Sequence, residues 1–565
     1  MEKKKKTIGL SSLLLCLAVL AGCQGQESSP SSSTSTVPPS TPNSSVSSSS
    51  TPGSSSSSST PWTPGSDALE DAKQPEVKDP IGARSALNRL NASQGKPGMP
   101  SLGDVNLLVV PVQLSDQEDV GEVFDDQLLK NLDGTFFGEG ADFPSVKEFY
   151  EESSGYNLHL DGVTTPVVEI EETLNDAVAT IGSKGMAGFL SGVTSEVYDY
   201  LFVDETRTYD PADFDSDDDG KIDGIVLVNP MLSLLVYQMF GISSTGDTSY
   251  DALLSDASLF EDSLSAPVNS VSWTSVFASL YYSIIHYGLE QIPLIPDSHF
   301  YINFVGAMMG LDSYYDFTGN STTETYRAPL AMTDRMDGYI GDHNPFSKYQ
   351  LGWLSPSVYT PENVPAEGVD VTVSAESPIV LSYADDGLYG EYLLVDLYTP
   401  TGLNQADAKE PYIYGRSTFS KAGIRVYEVN STLARGRENQ YVPYVGEPDY
   451  EATYLSANGS QQKYSYAYRH SNSSVNPLSE YGIMDKEPLL SLLSKKGMNR
   501  HITDFNVSLS DDDLFHAGDA FDQGDVPGFY KDFAFDSGTA LGITFTVKSI
   551  DEASGSAVLT LRRAN

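Results

Sequence analysis

The stretch that decides the fold of this chain is Tyr301-Ile302-Asn303-Phe304-Val305-Gly306-Ala307-Met308-Met309-Gly310-Leu311-Asp312-Ser313-Tyr314-Tyr315-Asp316. We interpret it as a helix that ends near Gly310 and is followed by a turn. Asp312, Tyr315 and Asp316 are then expected to cap and support that turn. The segments on either side decide which kind of helix this is.

Two neighbouring segments fix the register of the stretch. The downstream segment is Gly338-Tyr339-Ile340-Gly341-Asp342-His343-Asn344-Pro345-Phe346-Ser347-Lys348-Tyr349-Gln350-Leu351-Gly352-Trp353-Leu354-Ser355-Pro356. The upstream segment is Asp213-Phe214-Asp215-Ser216-Asp217-Asp218-Asp219-Gly220-Lys221-Ile222-Asp223-Gly224-Ile225-Val226-Leu227-Val228. Together with Gly310-Leu311-Asp312-Ser313-Tyr314-Tyr315-Asp316, they resemble secreted M6 metallopeptidases of the immune inhibitor A type. Because all three segments occur in the family's order, the resemblance aligns the stretch residue by residue.

The resemblance places a zinc motif on the helix, but the chain lacks its side chains. In members of the family this helix has the sequence His-Glu-x-x-His-x-x-Gly-Leu, in which the two histidines bind one zinc ion and the glutamate activates the zinc-bound water. Counting back from Gly310 and Leu311, these three positions fall on Asn303, Phe304 and Ala307. Amide, phenyl and methyl groups replace neither the zinc ligands nor the base. We therefore expect a degenerate motif with no catalytic residue and no zinc.

The histidines elsewhere in the chain do not restore such a motif. The chain has 7 histidines and 2 cysteines, no two histidines are four residues apart, and no His-x-His pair occurs. His299 precedes the stretch and His343 follows it, so they are the pair to inspect in the structure. Met332 and Met336 resemble the methionine that the family places beneath its metal. Without a metal we expect them to be core residues.

Composition limits the class of protein. The chain has 565 residues, a formal net charge of −45 at pH 7 and 39% hydrophobic residues. This length and apolar content allow two or three folded units. Because so acidic a surface repels a phosphate backbone, the composition excludes nucleic acid as a partner.

The amino terminus has the pattern of an export signal. Met1 to Lys6 is basic, and Leu10 to Leu20 is apolar but too short to span a bilayer comfortably. Leu20-Ala21-Gly22-Cys23 resembles a bacterial lipobox, which implies cleavage before Cys23 and lipidation of its thiol. The lipid would then anchor the protein to the membrane, on the extracellular face of the bacterial cell membrane. A simple cleaved signal is the alternative interpretation.

The rest of the chain is predicted to form a tether, a short segment and two domains. Residues 1–23 are the lipoprotein signal peptide, and residues 24–67 are a Ser/Thr/Pro-rich disordered tether, because they carry too few large apolar residues to form a core. Residues 68–101 form a short amino-terminal segment. Residues 102–356 form the M6 peptidase-like domain, and residues 357–565 form a β-rich carboxyl-terminal domain.

Local patterns support this division. Val105 to Leu114 is an apolar run of strand length, and Ser145 with Glu148 forms a capping box that begins a helix. After Pro356 many short alternating strands follow, which is typical of a sandwich. The predicted fold class is an α+β metzincin-like peptidase domain followed by an all-β, sandwich-like domain, where the metzincin likeness is implied by the family resemblance.

The acidic loop is a candidate cation site. Asp215, Asp217, Asp219 and Asp223 alternate along it, and Gly220 permits the turn, as in an EF-hand-like calcium loop. Carboxylates this close repel one another unless a cation lies among them. We predict a structural calcium ion, to which Lys221 would contribute its backbone carbonyl oxygen. A solvated acidic turn is the alternative.

Two functional hypotheses follow. The first is a cell-surface lipoprotein whose peptidase-like domain has lost catalysis and binds a peptide, a protein or a cell-wall ligand, or acts as a scaffold. The second is an active secreted metalloendopeptidase with an atypical centre. Bound zinc and chelator-sensitive cleavage separate them.

Overall fold

The computed structural model describes a large part of the chain from Arg84 onward. By its internal contacts the chain divides into two units, Met1–Glu76 and Val77–Asn565, and every described residue belongs to the second. The predicted signal peptide, Cys23, the tether, Met332, Tyr315 and Asp316 lie outside the described residues. The described residues are 84–117, 123–140, 143–204, 207–239, 244–287, 295–314, 330, 333–337, 340–409, 419–438, 440–469, 471–472, 488–495, 509–522, 535 and 537–564.

Helices and strands alternate up to residue 350, and strands dominate after it. The α-helices of the described ranges are α1 (Ala86–Ser93), α2 (Asp126–Phe137), α3 (Val146–Ser153), α4 (Leu174–Tyr198), α5 (Leu234–Met239), α6 (Thr248–Leu253), α7 (Val276–Tyr287), α8 (Ser298–Met308), α9 (Pro345–Gln350) and α10 (Gln405–Lys409). The strands are β1 (Gly103–Leu114), β2 (Leu158–Thr164), β3 (Val168–Ile170), β4 (Ile222–Asn229), β5 (Ala257–Phe260), β6 (Val268–Ser275), β7 (Ser357–Tyr359), β8 (Val369–Val373), β9 (Ile379–Leu381), β10 (Glu391–Tyr398), β11 (Gly423–Asn430), β12 (Leu433–Arg437), β13 (Gln440–Tyr444), β14 (Thr453–Leu455), β15 (Gln461–Lys463), β16 (Ser465–Ala467), β17 (Leu490–Leu492), β18 (Ala520–Phe521), β19 (Ile543–Asp551) and β20 (Ser556–Arg563).

The first sheet is mostly parallel and has one antiparallel edge. Its strand order is β2-β1-β4-β6-β5, and β3 pairs in parallel with the end of β1. The pairs β1–β2, β1–β4 and β4–β6 are parallel, whereas β5 runs antiparallel to β6. Strand β4 is buried along its whole length, as its apolar sequence requires of a strand covered on both faces. The predicted strand from Val105 to Leu114 is confirmed as β1.

Helices cover both faces of this sheet. Helix α4 supplies Phe189, whose ring meets Trp273 of β6 edge to face at 5.4 Å in one hydrophobic core. On the opposite face, a Cβ added to Gly224 of β4 would lie 2.6 Å from Met308 of α8. Glycine at position 224 therefore lets helix α8 approach the sheet closely.

Helix α3 forms as its sequence predicts. Ser145 caps it by accepting from the Glu148 backbone, while the Glu148 side chain accepts from the Ser145 backbone N–H at 2.9 Å. This capping box satisfies donors that the first turn leaves without helical partners. Phe149 and Tyr150 on the buried face of α3 then face helix α8 and the segment around His343.

The carboxyl-terminal region is built mainly from antiparallel strand pairs, with β7 pairing in parallel with β9. A five-stranded sheet, β17-β11-β10-β9-β7, and a four-stranded sheet, β18-β19-β20-β8, contribute side chains to one shared hydrophobic core. Smaller sheets, β13-β12-β16 and β14-β15, complete the region. The coarse prediction of a mixed helix-and-strand region followed by a β-rich region is confirmed, and the placement of a domain boundary at residue 356 stays a prediction.

Helix α1 is part of the folded core. Leu87 and Leu90 are at most 1% exposed, and Asn88 is fully buried. The Asn88 amide donates to the carbonyl oxygens of Met99 at 3.2 Å and Met309 at 3.1 Å. The predicted short segment therefore contributes at least residues 84–101 to the structure around the end of α8. Among the described residues, no helix combines the length and apolar character that crossing a membrane would require.

Candidate functional site

Helix α8 lies at the centre of the candidate site. Asp297 caps its start, because the carboxylate oxygen Oδ1 accepts from the His299 backbone N–H at 2.8 Å. The helix ends at Met308, and Gly310 follows with a φ of 99°, which glycine adopts without strain. The helix and its end near Gly310 are confirmed.

The three positions aligned with the zinc motif share the less buried face of α8. Asn303, Phe304 and Ala307 are partly exposed, whereas the residues between and around them are buried against the sheet and α3. The Phe304 ring meets Phe300 edge to face at 5.0 Å. Asn303 Oδ1 is buried and has no hydrogen-bond partner among the described residues. The face thus presents one amide, one ring and one methyl group, a donor set that does not fit zinc.

Close packing beneath α8 depends on Gly306. A Cβ added there would lie 3.0 Å from Met336 Sδ and 3.1 Å from the Tyr150 hydroxyl oxygen. Tyr150 in turn donates its hydroxyl hydrogen to the Ile302 carbonyl oxygen at 2.5 Å. Met336 is 2% exposed, so the prediction that it is a core residue is confirmed.

A buried polar turn holds Met336 in place. Asp334 accepts from the Met336 backbone N–H at 2.7 Å and from the Asn344 backbone and side-chain N–H groups, both at 2.7 Å. Arg335 donates to the His299 carbonyl oxygen. Asp337 is 1% exposed, and burial, reinforced by the charge of Asp334, raises its pKa well above its usual range.

Each of the two histidines near helix α8 is buried in surroundings of its own. His299 is 1% exposed, and its Nδ1 lies 3.2 Å from Asp297 Oδ1. His343 is 2% exposed, and neither of its ring nitrogens has a hydrogen-bond partner in the described part of the chain. Burial lowers the pKa of His343 well below its usual range, and the charges of Lys348 and Arg335 act in the same direction. His343 is a neutral packing residue.

Aromatic side chains surround His343. Its ring centroid lies 5.5 Å from that of Phe149 and 6.0 Å from that of Trp353. The neighbouring Asp342 carboxylate pairs with the Lys348 ammonium group and accepts a hydrogen bond from the Ser153 hydroxyl group at 2.6 Å. The downstream segment that ends in Leu-Gly-Trp therefore packs onto α3, so its contribution here is structural.

Strand β5 offers backbone groups beside α8. Within the described ranges, β6 is the strand that pairs with β5, and no strand pairs with its outer edge. Its residues, Ala257–Phe260, are all partly exposed, and the strand packs against α8. An edge of this kind can accept an extended polypeptide as an added strand.

The acidic loop brings together part of its predicted ligand set. Among the described residues, one group of three or more acidic or metal-binding side chains meets at a common point, formed by Asp215, Asp217 and Asp223, whose ligand atoms lie within 4.8 Å of one another. Asp223 is fully buried, and burial, together with the neighbouring carboxylates, raises its pKa to about 7. Gly220 has a φ of 85°, as the predicted turn requires.

The other two predicted ligands have different surroundings. The Asp219 carboxylate accepts hydrogen bonds from the guanidinium group of Arg84 at 2.9 Å and from the side-chain amide of Asn269 at 3.2 Å. The Lys221 ammonium pairs with Glu261 at 2.5 Å. Because an ammonium group has no lone pair, Lys221 could bind a cation only through its backbone carbonyl oxygen. Sequence reasoning missed Arg84 and Asn269 because they are 135 and 50 residues from Asp219, and no local pattern connects them.

No family model matches the chain, and a search of the curated proteins finds no match. The interpretation of the site therefore depends on its geometry and on the resemblance of the three sequence segments.

Proposed function

We propose that this chain is a cell-surface lipoprotein with a metzincin-like M6 metallopeptidase domain that has lost catalysis and binds polypeptide. The observation that carries the proposal is the less buried face of α8, where Asn303, Phe304 and Ala307 stand at the positions of the zinc ligands and the base. The packing of Met336 beneath α8 supports the peptidase-like assignment. Attachment through Cys23 and the extracellular location follow from the lipobox resemblance.

The neighbourhood of α8 favours an extended polypeptide as the ligand. Strand β5 has an edge without a strand partner in the described ranges, and it lies against the same helix. Backbone N–H and C=O groups on that edge bind any extended chain, while Phe304 and Ala307 offer apolar contact. Binding without cleavage follows because no zinc-bound water is available at α8 to attack a peptide bond.

A calcium ion at the acidic loop is the structural part of the proposal. Asp215, Asp217 and Asp223 supply hard oxygen ligands, as calcium prefers. The loop directly precedes β4, the buried strand of the first sheet. A cation there would stabilise the loop's geometry and would take no part in chemistry.

The test of polypeptide binding uses an unfolded, fluorescently labelled casein. We expect the protein to bind it and to leave it intact, as measured by fluorescence anisotropy and by gel electrophoresis of the recovered casein. The Ala307→Arg variant places a long charged side chain on the proposed binding face and should weaken binding at least tenfold. Ala179→Arg on the exposed face of α4 is the matched control and should bind like the wild type.

Two outcomes would contradict the proposal. Cleavage of the casein would favour the active metalloendopeptidase. Equal weakening by Ala307→Arg and Ala179→Arg, or no binding by the wild type, would remove α8 as the binding face.

A further inference from the structure

The acidic loop contains buried polar atoms without hydrogen-bond partners. Asp223 and Asn269 are fully buried, and within the described ranges neither Asp223 Oδ1 nor Asn269 Oδ1 has a hydrogen-bond partner. An oxygen buried without a partner is unfavourable, so two at one place indicate a site that a ligand would satisfy. Because both atoms are oxygens, a cation or a hydrogen-bond donor would satisfy them, and the surrounding carboxylates favour the cation.

Asn269 is an observation independent of the carboxylates. It lies on β6 between Val268 and Ser270, which pair with Ile222 and Gly224 on either side of Asp223. Its amide nitrogen donates to Asp219, so the amide group is directed into the acidic loop. The amide oxygen is thus a further hard oxygen ligand beside the carboxylates.

Arg84 provides a positive charge at the same loop. Its Nε lies 2.5 Å from Asp217 Oδ2, and its Nη2 lies 2.9 Å from Asp219 Oδ2. Asp217 is therefore shared, because it also belongs to the group that could hold a metal ion. Arg84 brings a single positive charge to a loop with several carboxylates, so the loop stays anionic with Arg84 in place.

We propose that Arg84 and a divalent cation of the calcium type compete for the carboxylate of Asp217. In the absence of the cation, Arg84 neutralises Asp217. When the cation binds to Asp215, Asp217, Asp223 and the amide oxygen of Asn269, it draws on the same carboxylate as Arg84, so each of the two positive groups weakens the other's interaction with Asp217. The inference rests on the calcium loop of the proposed function and is independent of polypeptide binding.

The exchange affects the start of helix α1. Arg84 directly precedes Ser85, whose hydroxyl oxygen accepts from the Asn88 backbone N–H at 3.2 Å as the helix cap. Cation binding therefore weakens the ion pair that connects Arg84, next to the cap of α1, to the acidic loop.

Calorimetric titration of the full-length chain in detergent with calcium chloride tests the proposal. We expect one calcium ion to bind per chain, and Arg84→Met to tighten binding about tenfold, since removing a nearby positive charge favours a divalent cation. Arg562→Met removes the same charge from exposed Arg562 on β20, in the carboxyl-terminal sheet, and should bind like the wild type. Asp223→Asn should abolish binding, and Asp217→Asn provides a second variant if Asp223→Asn does not fold.

The outcomes separate the two parts of the inference. Equal calcium affinity of Arg84→Met and Arg562→Met would overturn the competition. Absence of calcium binding by both the wild type and Arg84→Met, or retained binding by Asp223→Asn, would overturn the site itself. None of these outcomes depends on whether casein binds.

Discussion

Asn88 holds helix α1 onto the end of helix α8, and we predict that its loss is costly. Its side-chain amide donates to the carbonyl oxygens of Met99 and Met309. Its Oδ1 accepts from the Ser101 backbone at 3.3 Å, from the Ser101 hydroxyl group at 3.1 Å and from the Ser85 hydroxyl group at 3.0 Å. The proposed perturbation is Asn88→Ala, which removes all of these hydrogen bonds.

The size of the stability loss depends on which hydrogen-bond partners of Asn88 stay buried with no other group to bond to. The Ser101 hydroxyl group has the Leu351 carbonyl oxygen as a second partner at 3.0 Å, so its loss is small. The carbonyl oxygens of Met99 and Met309 and the Ser101 N–H group lose the bonds that Asn88 made. At about 1–1.5 kcal/mol for each of these three groups, Asn88→Ala should lower the free energy of unfolding by about 3–4.5 kcal/mol.

Urea unfolding, followed by tryptophan fluorescence and circular dichroism, measures this loss. Asn458→Ala is the control, because exposed Asn458 accepts hydrogen bonds from Ser456 and Ser460, which lie two residues away on either side. We expect the control to change the free energy of unfolding by less than about 1 kcal/mol. A loss below 1 kcal/mol for Asn88→Ala, or equal losses for both variants, would refute the role assigned to Asn88.

Three further predictions concern buried groups. Burial raises the pKa of Asp256 to about 7 from the usual 3.8. The folded state therefore binds a proton more tightly than the unfolded state, and the wild type loses stability as the pH rises between these two values. In urea unfolding, the free energy of unfolding of Asp256→Asn should gain up to about 4 kcal/mol relative to the wild type between pH 4 and pH 8. Gly306→Val should destabilise the protein by about 1–3 kcal/mol, and a second change, Met336→Ala, should recover part of this loss in thermal unfolding. Arg425→Met leaves the buried Asp396 without its partner and should cost about 3–5 kcal/mol, whereas the double variant with Asp396→Leu should lose less in the same assay.

Local patterns predicted the elements that are determined locally. The capping box at Ser145, the apolar strand of β1 and the end of α8 at Gly310 all depend on residues within a few positions of one another. Asn303 and Ala307, which the family resemblance aligns with zinc ligands, also fall on one helical face, because their spacing matches the helical repeat.

The parts that could not be predicted depend on contacts between distant residues. Asn88 meets Met309 across 221 residues, and Arg84 meets Asp219 across 135. A buried asparagine and an exposed one have the same sequence signature, so only the fold distinguishes Asn88 from Asn458. The acidic loop shows the same limit, since spacing indicated Asp219 as a ligand, whereas the fold directs it to Arg84 and Asn269.

The most direct test of the central claim is the zinc content of the purified protein, measured by elemental analysis together with casein cleavage in the presence and absence of a chelator. The claim that α8 keeps its place in the fold but has lost its metal site predicts less than stoichiometric zinc and no cleavage under either condition. One zinc ion per chain with cleavage that the chelator abolishes would contradict it.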